Sequence, residues 1–156
     1  MRGRLLSVVS CLIFTTTAGL ASAEAANLAQ QRQYYDEAKR ALAKGDSGPY
    51  RQYASALRDY PLTPYLAYDE LTNRLRSASN AEIEKFLAEH GDLPQASWMK
   101  LRWLRALAER GDWKPFLDHY DAKLNFTELD CLYGQYQLSH GLTAEGNATA
   151  EKLWLV

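Results

Sequence analysis

The sequence predicts an all-α chain of helical hairpins stacked into part of an α-superhelix, or solenoid. Three observations carry this. Apolar residues recur at i, i+3, i+4 and i+7 through most of the chain. No stretch shows the period-two alternation of a strand. And one helix ending occurs twice. Arg40-Ala41-Leu42-Ala43-Lys44-Gly45-Asp46 returns as Arg105-Ala106-Leu107-Ala108-Glu109-Arg110-Gly111-Asp112, about 65 residues later. That separation is roughly twice a two-helix repeat. Stacked hairpins of this kind bury each apolar face on the next.

The first residues have the form of a leader. Arg2 and Arg4 precede an apolar stretch from Leu5 to Leu20, and Ala21-Ser22-Ala23 is a small-x-small exit. Charged start, short apolar run and small-residue exit describe a secretory signal. Cleavage is expected after Ala23, with Ala25 as the alternative. The polar residues Thr15, Thr16 and Thr17 and the short run argue against a membrane anchor. Val8-Val9-Ser10-Cys11 imitates a lipoprotein acceptor, but almost no apolar core precedes its cysteine. Removing 1–23 leaves residues 24–156, enough for one modest domain with its own core.

The mature part reads as successive helices. Tyr34, Tyr35, Ala38, Ala41 and Leu42 share one face, and Gly45 ends that helix. Tyr50, Tyr53, Ala54 and Leu57 form the next, closed by Tyr60-Pro61. Thr63-Pro64 starts a third, with proline at the first position and a face of Tyr65, Tyr68, Leu71 and Leu75. Ser79-x-x-Glu82 is a capping box opening a fourth, whose apolar side is Ile83, Phe86 and Leu87. Gly91 and Pro94 mark its exit.

The stretch from Trp98 to Arg110 differs. Arg102, Arg105 and Glu109 make one narrow polar stripe. Trp98, Met99, Leu101, Trp103, Leu104, Ala106, Leu107 and Ala108 fill most of the remaining circumference. Such a helix needs cover on more than one side. Asp112 then opens a short helix bearing Trp113, Phe116, Leu117 and Tyr120, with Pro115 harmless in its first turn. Leu129, Leu132, Tyr133 and Tyr136 define another face, stopped by Gly141, and a last helix starts near Thr143. The expected total is about eight helices in four pairs, opening near Leu28, Pro64, Ala96 and Thr127. Glu151-Lys152-Leu153-Trp154-Leu155-Val156 is still amphipathic, with no cap or proline. The expectation is therefore the first part of a longer protein.

Charge and motifs exclude several functions. The formal charge is −1, and loses two positive charges with Arg2 and Arg4. No basic block remains to hold nucleic acid. His90, His119 and His140 have no i, i+4 ligand partner, and each lies near an expected helix end. There is no GxSxG, P-loop or dinucleotide fingerprint. Glu82 with Glu84, or Asp118 with Asp121, could form a carboxylate pair for glycoside cleavage. Both pairs fall on solvated helix faces. The expected chain therefore has no catalytic, cofactor-binding or metal-binding residue of its own and takes no cofactor. Asn125-Phe126-Thr127 and Asn147-Ala148-Thr149 match a glycosylation pattern that has meaning only in a eukaryotic secretory route. Most of the ten tyrosines and four tryptophans fall on the apolar faces, as core rather than sugar platforms, with Tyr65 and Trp154 the least settled. Cys131 is the one cysteine left after the leader. It is either a buried free thiol or half of a disulfide.

Four segments resemble the N-terminal region of the soluble lytic transglycosylases of Gram-negative bacteria. They are Tyr60-Pro61-Leu62-Thr63-Pro64-Tyr65-Leu66-Ala67-Tyr68-Asp69-Glu70-Leu71, Phe86-Leu87-Ala88-Glu89-His90 leading to Leu93-Pro94, Leu101 to Trp113, and Leu129-Asp130-Cys131-Leu132-Tyr133. The resemblance runs in order along the mature chain. It implies a periplasmic parent that cuts peptidoglycan between N-acetylmuramic acid and N-acetylglucosamine, leaving an anhydro-muramic end. It implies a U-shaped superhelical domain, of which residues 24–156 would be the incomplete N-terminal part, and a separate lysozyme-like domain with one catalytic glutamate followed by serine. No glutamate here is followed by serine, so no catalytic residue carries over. The resemblance also implies that Cys131 pairs with a cysteine beyond Val156. The partners would be peptidoglycan, met through the complete enzyme, and the rest of the parent. The alternative is a stand-alone exported adaptor of the tetratricopeptide type, binding a protein or peptide.

Overall fold

A computed structural model describes the backbone of residues 17–154 and the side chains of 26–154. The expected leader lies outside the described residues, except that 17–23 are helical backbone at the start of α1. The helices are α1 (Thr17–Leu42), α2 (Gly48–Tyr53), α3 (Thr63–Asn73), α4 (Asn80–His90), α5 (Pro94–Arg110), α6 (Trp113–His119), α7 (Thr127–Ser139) and α8 (Thr143–Trp154), with a 3-10 turn at Ala122–Leu124. Among the described residues there are no strands.

The expected pairs form: α1 with α2, α3 with α4, α5 with α6, α7 with α8. The first helices of successive pairs also touch, α1 to α3, α3 to α5 and α5 to α7. That second set of contacts turns four hairpins into a stack. Helix α5 meets α3, α4, α6 and α7, and buries Met99, Leu101, Trp103, Leu104 and Leu107 among others. Its broad apolar circumference is thus covered from several sides. Trp98 is the exception. It is 54% exposed and lies over the Phe126 ring at 5.6 Å, because its side of the helix faces outward beside the Phe126 connection.

The core has two clusters. Tyr35, Ala38, Leu42, Leu57, Tyr60 and Leu66 form the first, and Leu71 through Leu129 the second, around Trp103, Leu104, Leu107 and Phe116. Helix α3 joins them, giving Leu66 to one and Leu71 to the other.

The repeated ending is one and the same cap. Gly45 and Gly111 have φ of 79° and 76°, a region where only glycine is unstrained. Behind each, the aspartate N–H reaches five residues back, Asp46 to the Ala41 carbonyl at 3.0 Å and Asp112 to that of Leu107 at 2.9 Å. This closes the last carbonyls of α1 and α5. Gly141, with φ 78°, repeats the geometry at α7, where the Leu142 N–H meets the Gln137 carbonyl at 2.9 Å. The expected capping box is formed. Ser79 Oγ accepts from the Glu82 N–H, and Glu82 accepts from the Ser79 N–H at 2.9 Å.

Helix α2 is shorter than the Tyr50–Leu57 pattern predicts. Regular helix stops at Tyr53, and 54–59 are turns. Tertiary hydrogen bonds hold these turns in place. The Ala56 carbonyl accepts from Gln31 Nε2 at 2.9 Å, and the Leu57 carbonyl from Thr63 Oγ1 at 2.5 Å. Leu57 and Tyr60 still bury themselves in the first core.

Candidate functional site

Three places gather chemically capable side chains. The first is an open depression of about 400 Å³ between α4, α5 and α6. Glu84 and His119 meet across it, Oε1 to Nε2 at 3.1 Å. The His119 ring lies 4.7 Å from that of Trp103. Trp103 forms the floor. It is 1% exposed and donates its indole N–H to Asn80 Oδ1 at 3.0 Å. A carboxylate beside an imidazole can orient a proton relay. Here the pair clasps α4 to the end of α6, and the buried indole has no face free for a sugar ring.

The second is a charged node. Arg74 is 2.7 Å from both Glu70 and Glu82. Glu82 also closes the capping box, and these bonds hold its carboxyl down at about 2, the Arg74 hydrogen bond first. The node pins the end of α3 to the start of α4. The other carboxylates of the predicted pairs have structural partners too. Asp118 bonds Lys114 at 2.7 Å, and Asp121 accepts the Lys123 N–H at 2.9 Å. Glu82 is committed to Arg74 and Glu84 to His119, so neither predicted pair is assembled as a pair.

The third is a groove of about 750 Å³ along α7 and α8, lined mainly by apolar atoms. Cys131, Leu138, Leu153 and Trp154 border it. Cys131 is an exposed free thiol, which removes the reading of a buried cysteine. Trp154 is 89% exposed. Tyr65, by contrast, is half-buried. The groove is shaped by glycines that sequence periodicity passes over. Gly134 and Gly146 are buried where α7 and α8 cross. Gln137, also buried, accepts from Thr149 Oγ1 at 2.8 Å. A small residue on each of two neighbouring helices was the available signal.

The histidines occupy helix ends as expected. His90 closes α4 against Phe86, His119 closes α6, and His140 follows α7 over Tyr136, with ring centres 4.1 Å apart. Among the described residues no helix is long and apolar enough to cross a membrane, and no three His, Cys, Asp or Glu side chains gather as for a metal ion.

No known protein-family model matches the chain. It is 32% identical to the soluble lytic murein transglycosylase of Escherichia coli (strain K12) over 152 residues, 97% of this chain and 23% of that protein. The Salmonella typhimurium protein of the same description matches equally, at 32% over 152 residues. A crystal structure of an inactive mutant of the lytic transglycosylase Slt from Pseudomonas aeruginosa superposes with TM-score 0.73 and 74% identity, covering 79% of this chain and 20% of that one. The chain is homologous to an N-terminal portion of the soluble lytic murein transglycosylases.

The 70-kDa soluble lytic transglycosylase, solved in complex with bulgecin A, superposes with TM-score 0.72 at 31% identity over 83% of this chain and 21% of that one. The helical stack therefore matches part of that protein's superhelical domain. The chain spans about a quarter or less of the length of these relatives.

Proposed function

We propose that this chain is the N-terminal part of the superhelical scaffold of a periplasmic lytic transglycosylase, exported by the leader 1–23. The parent would cleave peptidoglycan glycan strands to anhydro-muropeptides. This segment would position the enzyme, with the bond-breaking glutamate in another domain. The observation that carries the reading is the 74% identity to the Pseudomonas aeruginosa enzyme over most of this chain but only 20% of that one. The structural commitments of Glu82, Glu84, Asp118 and Asp121 support the non-catalytic part. Cys131 stands on the apolar groove, within reach of chain packed there. It would form a disulfide with a cysteine outside these 156 residues. The groove itself would receive the following helices of the parent.

The test is a chimera in which this chain replaces the matching portion of the Pseudomonas aeruginosa enzyme. The chimera should release anhydro-muropeptides from sacculi, and the chain alone should release none. A folded but inactive chimera overturns the parentage, and release by the chain alone overturns the scaffold role. The open groove also suits a stand-alone adaptor binding an apolar helix. An inactive chimera together with a stable monomer would favour that second reading.

A further inference from the structure

A cleft of about 490 Å³ lies between the end of α3, the turn after it and the outer face of α5. Arg102 and Arg105, three residues apart on α5, project from the same helix face. Arg76 lines the cleft from the turn. The arginines are not equivalent. Arg105 is loosely paired, 3.6 Å from Glu109 and 3.4 Å from Glu128. Arg76 and Arg102 are exposed, and no carboxylate pairs with either among the described residues. Thr72 lines the same cleft and buries its hydroxyl oxygen without a hydrogen-bond partner. The cleft is not uniformly basic, because Glu109 lies on its wall.

We infer that this cleft binds a short peptide carrying at least two free carboxylates and an amino group. Planar guanidinium groups match carboxylates in a two-point fork. Two unpaired arginines in one concavity gain most from a ligand with two such groups. Glu109 can take the ligand's ammonium in exchange for its loose contact with Arg105, and it disfavours a bare polyanion. In the murein reading, the peptide branching from the glycan strand has this chemistry. That attribution rests on the proposed function, while the binding chemistry does not.

The full chain, labelled with nitrogen-15, would be titrated with sugar-free peptide released from sacculi by an amidase, with linear Ala-Glu-Glu-Lys, and with inorganic phosphate. The arginine Nε–H signals of Arg76 and Arg102 should shift saturably with the sacculus peptide, and phosphate should not saturate them. Arg102→Gln and Arg76→Gln should each weaken binding by about tenfold or more, as for a charge-assisted hydrogen bond. Arg58→Gln, on the exposed turn after α2, should leave it unchanged. All three positions are exposed, and circular dichroism confirms that each variant is folded. No saturable shift, or equal saturation by phosphate, overturns the site. Binding of the linear peptide alone overturns its assignment to murein and leaves the chimera result standing on its own.

Discussion

Gly146 of α8 faces Leu138 of α7 so closely that a Cβ on the glycine would stand 2.6 Å from the leucine Cγ and Cδ2 and 3.2 Å from its backbone nitrogen. Gly134 is less tight, with the Thr149 methyl 3.1 Å from the equivalent point. These contacts let the last two helices cross as nearly touching backbones.

Gly146→Ala should therefore destabilise the chain. Overpacking costs about 1–3 kcal/mol, and the helix-propensity gain of alanine over glycine, about 1 kcal/mol, offsets part of it. The Gly134→Ala change should be closer to neutral. Thermal unfolding of the two variants gives the order. A Gly146→Ala variant as stable as the parent would mean that the crossing relaxes freely.

The caps respond to conformation rather than space. Gly111 has nothing within 4 Å of its would-be Cβ, yet its φ is 76°. Gly111→Ala should cost about 1–2 kcal/mol, the left-handed penalty of an L-residue. Gly111→Asn should cost less, because asparagine tolerates that region. Denaturant midpoints would show the ranking, and equal midpoints for alanine and asparagine would contradict it.

Glu82 should make the chain acid-sensitive in a defined window. Its folded carboxyl is held at about 2, by Arg74 first and then by the Ser79 backbone and hydroxyl. A depressed acid stabilises the fold above its unfolded value, about 4.3, and loses that contribution as pH falls from there through about 2. Carboxyl NMR titration of Glu82 should show the low midpoint, and Arg74→Gln should move it up. A midpoint unchanged by Arg74→Gln would remove the node from the explanation.

Tyr120 works at the other end of the scale. Burial, then its 2.5 Å hydrogen bond to Asp130 Oδ1, raises its phenol above the ordinary value of 10.0. The folded state thus prefers the neutral phenol. Its contribution is complete below about pH 10 and is lost as pH rises toward the raised folded value. Tyr120→Phe should cost about 1 kcal/mol and flatten that alkaline loss. Stability measured against pH from neutral to alkaline tests both, and an equally steep loss in the variant would assign it to another group.

Helix order and pairing were legible because each rests on local chemistry. Thr63-Pro64 can only begin a helix, Ser79 with Glu82 closes its own orphan N–H groups, and Gly45 and Gly111 accept a left-handed turn that other residues resist. The breadth of the apolar surface on Trp98–Arg110 likewise announced a central helix. Periodicity failed where one contact outweighed the pattern. Trp98 turns outward beside Phe126, and α2 gives way to turns after Tyr53, where Gln31 and Thr63 bond the Ala56 and Leu57 carbonyls. The Arg102 and Arg105 stripe was visible as a polar face, but nothing in sequence order brings Arg76 opposite it.

An all-α stack with capped ends follows from residue order, since propensity, capping and hydrophobic period act within a few residues of one another. Packing between helices brings Glu84 to His119, 35 residues away, exposes Cys131 on an apolar groove, and puts Arg76 and Arg102, unpaired among the described residues, in one cleft. Those outcomes depend on how close one helix lies to another. Side-chain volume at the crossings sets that distance, as at Gly146 and Leu138, and it cannot be read from either strand of sequence alone.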